Sequence, residues 1–101
     1  TTPGGKGMVD DPLFIGTVQL VLDGIALSRA LLQKDFPEAR FKARLLTVKA
    51  PALGYHEIAT RASLLVSCLT AKGQIPEEDY ASAMLALARE IKLVTERYRM
   101  V

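Results

Sequence analysis

The sequence predicts an all-α fold, an antiparallel up-down four-helix bundle. Three observations lead there. Apolar side chains recur every three to four positions through four segments and nowhere alternate as they would in a half-buried strand. Proline and glycine punctuate the gaps between those segments. The gaps are short, and short connections between long helices make sequence neighbours antiparallel. With 101 residues, half of them hydrophobic, the chain has enough apolar material for one core in one domain. That domain covers 11–101. Residues 1–10, rich in Gly, Pro and Thr, read as a flexible N-terminal tail.

The first helix begins at "DDP", with Asp11 as cap and Pro12 in the first turn, and runs to about Lys34. Phe14, Val18, Val21, Ile25 and Leu32 form one stripe on it; Leu13, Leu20, Leu27 and Leu31 form a second. A helix apolar over most of its surface needs more than one partner. A central place in the bundle satisfies that need, and so does a homodimer through the outer stripe. Pro37 opens the second helix, about 37–50, with Phe41, Leu45 and Val48 as its expected inward stripe and Ala39, Ala43 and Leu46 beside it.

Pro51 lacks a backbone donor and disfavours helical geometry at Ala50, and Gly54 follows, so a break or sharp kink is expected near 50–54. The third helix then carries Tyr55, Ile58, Ala62, Leu65 and Leu69 on one stripe to about Ala71. "AKG" is its stop, with Gly73 free to take the left-handed cap conformation. Pro76 and the acidic run Glu77, Glu78, Asp79 start the last helix, where Tyr80, Met84, Leu87, Ile91, Val94 and Tyr98 keep helical spacing.

Composition narrows the function. A net charge of +2 without a clustered basic stripe argues against nucleic acid. The single cysteine, Cys68, forms no internal disulfide, reads as a buried inert thiol and suits a reducing, cytoplasmic setting. No apolar run reaches the roughly 18 residues of a membrane span, so no membrane partner is expected. One His and one Cys make no zinc site, and "GGKG" lacks the context of a phosphate loop. Ser63 and the lone His56 lie two helical turns apart, near 10 Å and too far for a hydrogen bond. No cofactor is implied, and the reading leans toward binding rather than catalysis.

The segment "ARLLTVKAPALGYHEIATRA", residues 43–62, resembles the core of the histidine-containing phosphotransfer (HPt) family, and the helix order over about 11–98 resembles the whole HPt bundle. Leu46, Leu53, Gly54, Ile58, Ala59 and Ala62 fit the family pattern. In ungapped register Arg44 occupies the phospho-acceptor histidine position, Thr47 the lysine position and Val48 the glycine position. The resemblance therefore implies the bundle without the usual acceptor, because a guanidinium stays protonated and takes no phosphoryl group. It implies a domain that binds a response-regulator receiver or another signalling protein. Arg44, Thr47, Val48, Lys49 and Arg61 would form the surface, with Arg44, Lys49 and Arg61 facing an acidic pocket.

A rival resemblance joins "HEIATR" to the histidine box of histidine-kinase dimerisation domains, on His56, Glu57, Ile58 and Thr60. It implies a phospho-accepting His56. A helical adaptor or dimerisation module outside phosphorelays is the third reading.

Overall fold

The computed structural model describes residues 11–70 and 77–99, with side chains described as far as Arg97. Four helices run up, down, up and down: α1 Pro12–Leu32, α2 Phe36–Ala52, α3 His56–Leu69 and α4 Glu77–Arg99. No strand occurs among the described residues. Side-chain contacts fix the antiparallel order. Asp23 of α1 meets Lys42 and Lys49 of α2, Arg40 Nη1 near the start of α2 donates to Leu69 O at the end of α3 (3.1 Å), and Cys68 of α3 lies beside Asp79 of α4. The expected tail over 1–10, the "AKG" stop, the start at Pro76 and the Tyr98 side chain lie outside the described residues.

Local chemistry sets the helix ends. Asp11 Oδ1 accepts from Leu13 N (3.0 Å), and Asp35 Oδ1 accepts from Glu38 N (3.3 Å), each satisfying a donor left over in a first turn. The Asp35 cap lets α2 begin at Phe36, one residue before Pro37. α1 and α2 both finish in a Schellman turn. At the end of α1, Lys34 N donates to Leu31 O and Asp35 N to Ala30 O. At the end of α2, Gly54 N donates to Pro51 O and Tyr55 N to Ala50 O. Such a turn needs one residue in the left-handed region. That residue is Gly54 in α2 (φ 87°) and Lys34 in α1 (φ 58°).

The break expected near 50–54 falls at Leu53–Gly54, although Pro51 itself does not end α2 and the helix continues through it to Ala52. Pro51 sits in the last turn, where its missing N–H removes a single bond, and Leu53 N still reaches Lys49 O and Ala50 O. Buried Ala50 is held helical by its packing despite preceding a proline.

The core contains Leu20 and Leu27 from α1, Leu46 from α2, Ile58, Leu65 and Leu69 from α3 and Leu87 from α4, all essentially without solvent contact. α3 and α4 bury the stripes their spacing predicts, with Tyr55 and Met84 half-buried. Cys68 is half-buried rather than fully interior. The inward stripe expected for α2 is corrected. Ala39, Ala43, Leu46 and Ala50 face the core, whereas Phe41 and Val48 face solvent and Leu45 is half-buried. Small side chains allow α1 and α3 to approach α2 closely, and a Phe–Val face would hold them apart.

α1 buries Leu20, Leu27 and Leu31 but leaves Val18, Ile25 and Leu32 exposed, so it lies at an edge rather than at the centre. It is also long and apolar enough to cross a membrane by length and composition, although a third of its most apolar window (33%) is buried in the bundle. The expectation of no such segment fails because a window average tolerates Asp23, which interrupts an unbroken run.

Thr17, the one buried polar residue among those described, ties α1 to the corner before α3. Its hydroxyl donates to Leu13 O (2.7 Å). With that proton committed, Tyr55 Oη is the donor in the 2.7 Å Thr17–Tyr55 bond.

The two left-handed positions make opposite predictions. Gly54→Ala meets no clash, since nothing lies within 4 Å of an added Cβ, yet it should cost about 1–2 kcal/mol in backbone strain. Lys34→Gly should gain up to about 1 kcal/mol by relieving the same strain. Urea denaturation midpoints check both signs.

Candidate functional site

Once its alanines are inside, α2 turns a largely apolar face outward. Phe41 is 54% and Val48 71% exposed, and exposed Arg44 lies between them at helical spacing. Pro37 and Pro51 continue the strip at its two ends. The Lys42 ammonium lies 5.8 Å from the Phe41 ring centroid. Half-buried Thr47 turns its hydroxyl back to Arg44 O (2.6 Å), so it braces the backbone behind Arg44.

The five residues expected on one surface divide three ways. Arg44, Val48 and the backbone-directed Thr47 belong to the outer side of α2. Lys49 points to α1, where its Nζ donates to Asp23 Oδ2 at 2.8 Å, while Lys42 approaches Asp23 Oδ1 at 3.9 Å. Arg61 pairs with Glu57 one turn earlier on α3, at 3.6 Å. Residues 57, 61 and 68 share a side of α3, and Cys68 shows that this side faces α4. Arg44 is therefore the one cation of the three presented on the α2 face. A guanidinium there offers paired donors to a carboxylate, and the flanking Phe41 and Val48 add apolar area to bury.

His56 is the first residue of α3 and is exposed. Its carbonyl accepts from Thr60 Oγ1 (3.1 Å). It borders a hollow of about 210 Å³ shared with Glu57, Glu90, Leu93, Val94 and Arg97. This hollow lies between α3 and α4, away from the α2 face. Among the described residues no three of His, Cys, Asp and Glu gather as metal ligands would.

Two features are not legible from apolar spacing alone. Phe41 fits an inward stripe by its spacing, yet Ala39, Ala43 and Ala50, spaced four and seven apart, form the close-packed side and send Phe41 out. The hollow that His56 shares with Glu90 and Arg97 has no local signal, because more than thirty residues separate them from His56. The chain finds no match among family models, curated proteins or solved structures. The four-helix shape is compatible with an HPt-like bundle.

If Lys49 is a strut rather than a docking charge, Lys49→Ala and Asp23→Ala should not add. A double-mutant cycle in thermal or denaturant unfolding should give a coupling of about 0.5–1 kcal/mol that weakens with salt.

Proposed function

We propose that this compact helical domain is a signalling interaction module of HPt-like fold that binds a response-regulator receiver, or a regulator with a similar acidic pocket, without passing a phosphoryl group at the usual helix position. One observation carries the reading. Arg44, which the resemblance aligns with the acceptor histidine, stands exposed on the outer face of α2 between two exposed apolar side chains. An acceptor has been replaced there by a fixed cation. Such a group attracts the carboxylates of an acidic pocket and cannot take their phosphoryl load. Phe41 and Val48 supply the desolvated surround that makes a central charge effective. With a receiver as its partner, the protein would work in the cytoplasm.

Fluorescence anisotropy or calorimetry against a panel of receiver domains tests the proposal. Arg44→Glu and Val48→Asp should each weaken binding about tenfold or more while the helical circular-dichroism spectrum is unchanged. Failure of the wild-type chain to bind any receiver would sink it.

His56 supports a second reading because it is exposed at the rim of a hollow that also holds Arg97. A neutral imidazole nitrogen attacks the phosphorus of acetyl phosphate, acetate leaves, and the cation steadies the phosphoryl oxygens. Incubation with labelled acetyl phosphate should leave the chain unlabelled if binding is its role. Acid-labile label that disappears in His56→Ala would establish the phosphotransfer reading instead.

A further inference from the structure

The solvent side of α1 carries Ile15, Val18, Leu22, Ile25 and Leu32, each between 41 and 82% exposed. Their spacing is three, four, three and seven, with Arg29 in the skipped place, which is the a/d register of a coiled-coil seam. Beside this ridge runs an open groove of about 590 Å³ between α1 and α4. Val21, Ile25 and Leu32 form one wall, and Ala81, Leu85 and Ala88 the other. At its floor the two helices touch closely, since a Cβ on Gly24 would stand 2.7 Å from Ile91 Cδ1.

We infer that this face is the interface of a homodimer, with α1 of each copy seated antiparallel in the α1–α4 groove of the other. Ridge and groove lie side by side on one molecule, which is the self-complementarity a two-fold contact requires. The exposed side chains of the ridge, with Leu85, present on the order of 600 Å², the top of the range for the largest patch on an ordinary monomer. Two copies meeting there remove roughly 1,200 Å², enough for a specific interface at the small end of the stable class.

Direction follows from charge. A parallel pair would set Arg29 against Arg29. The antiparallel pair puts Leu22 and Ile25 at the axis, opposes the two helix dipoles and brings Lys34 toward the carboxylate of Asp11 of the partner subunit. A membrane is the competing occupant, since α1 is apolar enough for one. A flat bilayer would cover the ridge and leave the groove open. Insertion across a bilayer would pull Leu20 and Leu27 out of the core. The strip contains no α2 residue, so the inference stands apart from receiver binding.

Sedimentation velocity on the full chain, from low to high micromolar concentration, should show a monomer–dimer equilibrium. Leu22→Asp and Ile25→Asp should each weaken it at least tenfold, with helical circular dichroism unchanged. The milder Leu22→Ala/Ile25→Ala pair should do the same if either aspartate prevents folding. Leu93→Asp, on the other side of α4 and just as exposed at 52%, should leave the dimer intact. A wild-type chain that stays monomeric overturns the inference, as does a dimer that survives the α1 variants or is lost equally in Leu93→Asp. A strict monomer that pellets with anionic vesicles, and no longer does so as Leu22→Asp, assigns the face to lipid.

Discussion

The bundle depends on one packing constraint, the small inner face of α2. Ala39, Ala43, Leu46 and Ala50 are all fully buried, and α2 is the helix on which both α1 and α3 close. Three alanines in that face bring the helix backbones near each other, and Leu20, Leu27, Ile58 and Leu65 fill the remaining space. The bulky side chains of α2 have no room inside. Phe41 and Val48 stand in water for that reason, and Arg44 stands between them. The candidate docking face is thus the outer consequence of a packing decision made on the inner face.

Charge follows the same division. Asp23 on α1 collects two lysines from α2 and so pins the α1–α2 seam from outside the core. At 15% side-chain exposure its carboxylate is partly shielded, which makes these pairs less sensitive to screening than a fully solvated one. The positive charge of α2 is thereby split between a structural task at Lys42 and Lys49 and a free presentation at Arg44. On α3, Arg61 is occupied with Glu57. The three cations that the sequence suggests for one docking surface reduce, in the folded chain, to a single guanidinium framed by apolar groups.

The seams between helices are unequal. α2 with α3, α1 with α2 and α3 with α4 pack along their lengths, while α1 and α4 touch mainly where Gly24 admits Ile91. The corner at the other end is firmer. Leu53 lies over Gly16, and Tyr55 reaches the Thr17 hydroxyl, so the α2–α3 turn is fastened to the start of α1. An edge helix fixed at one end, apolar outside and loosely joined to α4 is a surface suited to association. It shares no residue with the outer face of α2.

The sequence by itself determined the number and type of elements. Four apolar periodicities, separated by capping Asp residues and by proline and glycine, leave little choice but four helices, because helix periodicity and end chemistry are local. The inward faces of α3 and α4 were legible as well, since each has one apolar stripe and a polar remainder. α1 and α2 were not, because each offers two apolar stripes, and composition along one helix cannot say which stripe its neighbours will cover. Tertiary packing decided that by selecting the small residues of α2 and the leucines of α1. It also decided the candidate sites. Whether Lys49 serves a surface or a strut depends on Asp23, and the hollow at His56 depends on Glu90 and Arg97. Contacts between residues so far apart in the chain exist only once the helices have been brought together.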